Sequence, residues 1–86
     1  MGYKITIKPS AVKELAVLDK STKWRIAGFI ERLKTLDDPR VLGIAMQGAG
    51  RLWRYRVGDY RIIADIEDKT ITIGIIKIGH RSGVYK

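Results

Sequence analysis

Arginines in the C-terminal half of the chain are the residues whose type and spacing could do chemistry. Arg54 and Arg56 lie two positions apart in an alternating segment, so a β-strand would send both side chains to one face of its sheet. Arg61 follows Gly58-Asp59, a pair typical of a tight hairpin turn, and Arg81 follows the last apolar segment. A guanidinium binds phosphate through two parallel hydrogen bonds and stays charged at any relevant pH. The spacing therefore predicts a phosphate-binding cluster, although the same arginines would also suit a solvated sheet surface.

His80 is the only histidine, and the chain has no cysteine. A zinc site would need several carboxylates to converge, so we expect neither a metal nor a cofactor. Histidine titrates near neutral pH in ordinary surroundings, which makes His80 a candidate for acid-base chemistry or for contact with a phosphate. Strand alternation argues the other way, because it turns His80 away from the side that Arg81 faces.

The charge balance indicates an anionic partner. The 86-residue chain carries 17 Lys and Arg against nine acidic residues, a formal charge of +8, and a basic domain of this kind is typical of nucleic-acid binding. A membrane surface is the other standard partner, but no apolar run reaches the roughly 18 residues of a spanning helix, and we expect no membrane binding. The length suits one domain, residues 1–86, and the absence of a signal-like segment predicts a cytoplasmic protein.

The N-terminal half predicts one strand and two helices. Residues 3–7 alternate between apolar and polar side chains, as in a half-buried strand that Pro9 ends. Ser10 then offers an N-cap to a short helix that runs to Asp19. After a polar break at residues 20–22, a second helix is predicted from a stripe of apolar residues that would face the core, namely Trp24, Ala27, Ile30, Leu33 and Leu36. The two helices should pack as a hairpin.

The C-terminal half predicts a series of strands. Residues 40–50 contain three glycines and no clear period, so we expect a loop with an extended piece around residues 42–46. Alternation then marks strands at residues 52–57, 60–67 and 70–78, separated by two short turns. The predicted fold class is α+β in the order β-α-α-β-β-β, with a helical hairpin on one face of a mostly antiparallel four-stranded sheet. The other face would be left for function.

Aromatic side chains in the chain could stack on RNA bases or pack in the core. Trp53 and Tyr55 would lie on the face opposite the arginines, which favours packing, and Trp24 and Phe29 are expected to pack as well; for Tyr60 both alternatives remain. Basic residues on the two predicted helices would suit ribosomal RNA or simple solvation, namely Lys13, Lys20, Lys23, Arg25 and Arg32.

Two segments of the sequence resemble the RelE/ParE toxin superfamily, and RelE-like messenger-RNA interferases in particular. They are residues 52–63, LWRYRVGDYRII, and residues 78–85, IGHRSGVY. The predicted order of elements also agrees, so the resemblance covers the whole chain, with the N-terminal half similar in pattern only. The resemblance implies a RelE-like toxin of a type II toxin-antitoxin system that cleaves mRNA in the ribosomal A site, inhibits translation and is neutralised by a RelB-like antitoxin.

The resemblance also implies roles for individual residues. Arg54 and Arg56 lie where the family has basic residues, often lysines, and Arg61 matches the basic residue of a Tyr-Arg pair. Arg81 matches an arginine after the last strand, and Tyr85 matches a tyrosine near the C-terminus. The implied catalytic residues are therefore Arg61, Arg81 and Tyr85, with Arg54, Arg56 and His80 in contact with RNA or its phosphates.

Metal-independent RNA cleavage needs a base for the 2′-hydroxyl proton, cations for the crowded phosphorane and an acid for the departing 5′ oxygen. Arginine does not readily release its proton, so Arg54, Arg56 and Arg61 suit a clamp on the phosphate. The resemblance makes Tyr85 the base, and neighbouring guanidiniums would favour its phenolate form; the alternative is an aromatic residue packed on the sheet edge. Arg81 would stabilise the scissile phosphate or assist the leaving oxygen.

Two other functions remain open. A ParE-like inhibitor of DNA gyrase would share the fold and do no chemistry, and a noncatalytic RNA-binding domain would use Tyr85 only for stacking. The complete set of arginines with a C-terminal tyrosine favours the endoribonuclease, because gyrase inhibitors of this family generally lack it. For the endoribonuclease, we expect an acidic or amphipathic antitoxin segment to cover the arginines or to block access to the ribosome.

Overall fold

Within residues 2–48 and 50–80, which the computed structural model describes, the sheet has five strands, one more than the sequence predicts. They are β1 (Lys4–Ile7), β2 (Ile44–Ala45), β3 (Leu52–Val57), β4 (Tyr60–Glu67) and β5 (Thr72–His80). The order across the sheet is β1-β5-β4-β3-β2. β1 and β5 are parallel and the other neighbours antiparallel, which confirms the predicted α+β class. The extra strand, β2, lies in the segment predicted as a loop with an extended piece.

The first helix, α1 (Pro9–Ala16), begins at the proline rather than after a Ser10 cap. Proline suits the first helical position because its φ is fixed and its missing N–H would have had no partner there. α1 then covers the part of β5 that extends beyond β1. The Glu14 carboxylate accepts a hydrogen bond from the Ile78 amide at 2.9 Å and binds the Lys77 ammonium at 3.2 Å. This carboxylate therefore satisfies an edge N–H that no neighbouring strand reaches.

The second helix, α2 (Lys20–Thr35), begins directly after Asp19, so the predicted polar break at residues 20–22 is helical. Asp19 is the N-cap, and its carboxylate accepts hydrogen bonds from the Thr22 hydroxyl, the Ser21 hydroxyl and the Thr22 amide. These bonds lower the pKa of Asp19 to about 2. None of the helices in the described ranges is long and apolar enough to cross a membrane.

Both helices pack on the same face of the sheet, which we call the helical face. The core between the helices and this face consists of the buried side chains Ala11, Ile26, Ile30 and Leu33 of the helices and Tyr55, Ile62, Ala64, Ile66, Ile73, Ile75 and Ile78 of the strands. The Phe29 ring meets the Tyr55 ring edge to face, with 5.4 Å between centroids. The core thus joins α2 to β3 through an aromatic pair, and the packing predicted for Phe29 and Tyr55 is confirmed.

The prediction that Trp24 and Ala27 face the core is wrong. Trp24 is 71% exposed and Ala27 is also exposed, whereas Ile26 is fully buried. Ile30 and Leu33 belong both to the predicted stripe and to the observed one. Helical periodicity identified Ile30 and Leu33 as core residues, but it did not decide which neighbouring positions of the helix also face the sheet.

Candidate nucleic-acid interface

Three of the predicted arginines lie on the face of the sheet opposite the helices. In the pairing of β3 with β4, Arg56 is opposite Arg61 and Arg54 is opposite Ile63. Directly paired residues of an antiparallel sheet point to the same side, and alternate residues along each strand share that side. We call the face that carries Arg54, Arg56 and Arg61 the arginine face. The structure therefore brings these three residues together, as strand alternation predicts.

The turn between β3 and β4 sets this register. Gly58, the first of its two central residues, has a φ of 60°, which is the conformation that a type II′ hairpin requires at this place. The two-residue loop pairs Val57 with Tyr60. The next residue pair away from the turn is therefore Arg56 with Arg61.

A cavity of about 140 Å³ lies among the arginines. Its lining consists of Leu42, Ile44, Arg54, Tyr55, Arg56 and Arg61. Arg54 and Arg61 are half-buried and Arg56 is exposed, while the Nη1 atom of Arg61 has no contact with solvent. Guanidiniums that are close together and partly removed from water create a strongly positive site, and a phosphate group suits both its charge and its donor geometry.

Packing beneath the cavity positions β2 against β3. Tyr55 is buried and donates a hydrogen bond to the Pro39 carbonyl at 2.8 Å, and its burial raises its pKa to about 12. Gly43 lies so close to the Tyr55 ring that an added Cβ would be 2.7 Å from the ring carbon Cε1. Only glycine permits this approach, which places Ile44 opposite Arg54 in the next strand pair.

His80 lies on the helical face, away from the arginines. It pairs with Tyr60 across β4 and β5, and the two rings meet edge to face with 5.5 Å between centroids. The structure therefore does not bring His80 to the cavity, as strand alternation indicated. Arg81 and Tyr85, two of the three predicted catalytic residues, lie outside the described residues.

Comparison with known proteins decides the family. The model of the ParE toxins of type II toxin-antitoxin systems matches residues 5–85. The chain belongs to this toxin family. Membership of the RelE/ParE superfamily, which residues 52–63 and 78–85 implied, is thereby confirmed. None of the curated proteins matches the toxin.

Solved structures share the fold of the toxin. A chain of the archaeal RelE-RelB complex from Pyrococcus horikoshii is 33% identical, covers 98% of this chain and 100% of its own length, and has a TM-score of 0.81. A chain of the RelBE2 toxin-antitoxin complex from Mycobacterium tuberculosis is 21% identical over 95% of this chain and 94% of its own, with a TM-score of 0.83. A chain of the RelB-RelE complex from Methanococcus jannaschii is 23% identical over 93% and 94%, with a TM-score of 0.77. The predicted RelE-like fold is confirmed.

At the other end of the arginine face, the toxin pairs an arginine with carboxylates. Arg51 donates through Nε and Nη2 to the two oxygens of Asp65, both at 2.9 Å, and through Nη1 to Glu67. Asp65, more than Glu67, raises the pKa of Arg51. We call Arg51, Asp65 and Glu67 the paired end. This ion-paired cluster was not predicted from the sequence, although the period-two spacing of Arg61, Asp65 and Glu67 places all three on one face of β4.

A second ion pair joins the turn after β4 to the 3₁₀ helix Pro39–Leu42. Arg40 Nη2 donates to both oxygens of Asp68 at 2.8 Å, and the Tyr3 hydroxyl donates to Asp68 Oδ1 at 2.8 Å. These two donors, Arg40 above all, lower the pKa of Asp68. The Arg40 guanidinium also lies 5.9 Å from the centroid of the Trp53 ring. This ion pair therefore links the 3₁₀ helix before β2 to the turn after β4.

Proposed function

We propose that the toxin is a metal-independent endoribonuclease that cleaves mRNA in the ribosomal A site and so inhibits translation. Arg54, Arg56 and Arg61 hold the phosphate of the scissile bond, and Arg61, Arg81 and Tyr85 carry the reaction. His80 is an RNA contact separate from the cavity, because it lies on the helical face.

The observation that carries the proposal is the direct opposition of Arg56 and Arg61 across two paired strands. Like charges in this arrangement destabilise a sheet, and Arg54 adds a third guanidinium on the same face. This arrangement therefore carries mutual repulsion among the three guanidiniums. A phosphodiester bound from outside offsets it, and RNA supplies one phosphodiester at every nucleotide.

The reaction begins when the Tyr85 phenolate takes the proton of a ribose 2′-hydroxyl. The 2′ oxygen then forms a bond to phosphorus, and the bond from phosphorus to the 5′ oxygen breaks. Arg81 stabilises the departing 5′ oxygen until it takes up a proton from water. Arg54, Arg56 and Arg61 offset the negative charge that accumulates on the phosphorane. The products are a 2′,3′-cyclic phosphate and a 5′-hydroxyl.

Mapping of mRNA ends on translating ribosomes tests this proposal. We expect cleavage in A-site codons by the wild-type toxin, and losses of at least about 100-fold in each of Arg61→Ala, Arg81→Ala and Tyr85→Phe. Arg51→Ala is the matched control, because it removes an arginine from the paired end of the same face and should leave cleavage per folded molecule unchanged. Undiminished cleavage in all three site variants would refute the residue assignment. Absence of cleavage by the wild type would refute the activity.

Inhibition of DNA gyrase is a second candidate function, and the match to the ParE family model favours it. A gyrase inhibitor acts by protein contacts and needs no general base. Supercoiling by purified gyrase should therefore be inhibited equally by the wild type and by Tyr85→Phe if this candidate is correct. The endoribonuclease proposal predicts that neither protein inhibits supercoiling.

We further propose that a RelB-like antitoxin neutralises the toxin within a hetero-oligomer. The 33% identical relative was solved in a RelE-RelB complex, and the arginine face offers a basic surface to an acidic or amphipathic segment. Co-expression with the neighbouring open reading frame should relieve growth inhibition and yield a complex that purifies together. Unrelieved toxicity would count against this partner.

A further inference from the structure

Two arginines from opposite faces of the sheet meet at the turn between β3 and β4. Arg56 comes from the arginine face, and its Nε–H donates to the Gly58 carbonyl at 3.3 Å. Arg25 comes from α2 on the helical face, and its Nη1 atom lies 3.4 Å from the position that a Cβ on Gly58 would occupy. Guanidiniums therefore flank this turn on both sides.

In the part of the chain that the structure describes, neither Arg25 nor Arg56 forms an ion pair with a carboxylate. Asp59, the acidic residue in the turn itself, is exposed and does not pair with them within those residues. The ion-paired Arg40 and Arg51 differ in this respect. Two cations held at one turn repel each other, so an external anion between them stabilises the arrangement.

Gly58 leaves room beside the turn for the Arg25 guanidinium. Its φ of 60° favours glycine, and a side chain at this position would begin in contact with the Arg25 guanidinium. The turn therefore presents bare backbone with a guanidinium on either side, a surface that an extended phosphate chain can approach closely.

We infer that Arg25 and Arg56 form a second phosphate site, which straddles the turn and binds the RNA backbone next to the phosphate in the cavity. The inference rests on the proposed function and extends it to a residue outside the predicted site. Arg56 lies opposite Arg61 and reaches the Gly58 carbonyl, and Arg25 reaches Gly58 from the helical face, so basic side chains extend from the cavity to the turn. A single RNA strand that crosses the end of the hairpin places successive phosphates along this line. Arg25 contributes binding and takes no part in bond cleavage.

The salt dependence of RNA binding tests this site. The probe is a short single-stranded RNA that is 2′-O-methylated throughout, so that no 2′-hydroxyl can attack. Each phosphate contact to a single strand contributes about 0.7 to the slope of log K against log salt concentration. We expect Arg25→Gln to reduce the magnitude of that slope by about 0.7, which corresponds to about five-fold weaker binding near 0.1 M salt. Arg25→Lys retains the charge and should retain most of the slope.

Arg32→Gln is the matched control for this experiment. It removes the same charge from the same helix, at an exposed position about two turns away, and should leave the slope unchanged. Equal losses in Arg25→Gln and Arg32→Gln would mean that overall charge, rather than a site, attracts the RNA. That result would overturn the inference, and so would an unchanged slope in Arg25→Gln or a wild type that does not bind the probe.

Cleavage on ribosomes separates failure of this site from failure of the proposed function. If the wild type binds the probe through Arg25 but cleaves no mRNA, the phosphate site is supported and the nuclease proposal is refuted. If the wild type cleaves mRNA and Arg25→Gln binds the probe as well as the wild type does, the nuclease proposal is supported and the proposed phosphate site is overturned. Weaker antitoxin binding with unchanged probe binding in Arg25→Gln would assign the turn to a protein partner and likewise overturn it.

Discussion

The two ends of the arginine face use the same residue type in opposite ways. At the paired end, Arg51 binds the carboxylates of Asp65 and Glu67. At the cavity, Arg56 lies opposite Arg61. Arg51 immediately precedes β3, and Asp65 and Glu67 lie on β4, so both ends involve the same two neighbouring strands and strand pairing alone does not explain the difference. The neighbouring charges do: carboxylates surround the arginine at one end, whereas two arginines lie opposite one another at the other, where we propose that RNA binds.

Charge context, rather than exposure, separates these two kinds of arginine. The Arg51 side chain is 57% exposed although it is ion-paired, whereas Arg61 is half-buried within the cavity. An arginine with two carboxylates around it stabilises the fold. An arginine opposite another arginine stores repulsion that a bound anion releases. The comparison therefore predicts that substitutions at the two ends have opposite effects on activity and stability.

The largest effect is expected for Arg61→Gln, which removes a guanidinium from the cavity and should act mainly on mRNA cleavage, reducing it by at least about 100-fold. Arg51→Gln should do the reverse, with normal cleavage per folded molecule and a lower melting temperature, because Asp65 and Glu67 lose their shared cation. Ribosome cleavage assays and thermal unfolding measure the two quantities. Equal losses of cleavage in both variants would remove the distinction between the two ends.

Gly43→Ala should have the next largest effect, at the cavity, because the added Cβ would lie 2.7 Å from the Tyr55 ring. The strands must move apart to admit it, so we expect the free energy of unfolding to fall by about 1–3 kcal/mol. Gly28→Ala is the matched control: a Cβ on Gly28, in α2, meets nothing within 4 Å, and the change should stabilise the protein by about 1 kcal/mol. Chemical denaturation measures both. If Gly43→Ala were as stable as the wild type, the close packing under β2 would not position the cavity.

Acid should weaken the ion pair between Arg40 and Asp68, a smaller effect. Arg40, and then Tyr3, lower the pKa of Asp68 in the folded protein. A carboxyl group with a lowered folded pKa contributes stability above its unfolded pKa of about 3.9, and that stability is lost as the pH falls through the lower folded value. The free energy of unfolding should therefore drop below about pH 4, and it should drop less in Asp68→Asn. The same pH profile in both proteins would show that this pair contributes nothing measurable.

Strand alternation was sufficient to predict the arginine face. Side chains on a strand point alternately to its two sides, so Arg54 and Arg56 had to share a face and Tyr55 had to point to the other one. The Gly58-Asp59 turn then identified the strand that carries Arg61 as the neighbour. These inferences needed only residues close to one another in the sequence, and the structure agrees with them.

Features that depend on how distant elements pack could not be predicted in this way. A stripe of apolar residues on a helix does not show which positions at its two sides are buried. Trp24 was therefore predicted to lie in the core, but it is exposed. A strand of two residues, β2, is too short to show a period. The contact between Arg25 and Gly58 depends on the position of α2 over the sheet, which no spacing in the sequence records. Arg81 and Tyr85 lie outside the described residues and stay predictions.

Arg56→Glu tests the central claim most directly, because it places a carboxylate opposite Arg61 and turns a repulsive pair into an attractive one. We expect the free energy of unfolding to rise by about 0.5 kcal/mol, while the affinity for 2′-O-methylated single-stranded RNA falls at least about tenfold. Denaturation and RNA titration of the same preparation give both values. A variant that is less stable than the wild type and binds RNA equally well would contradict the claim that the cavity holds its arginines against repulsion for an external phosphate.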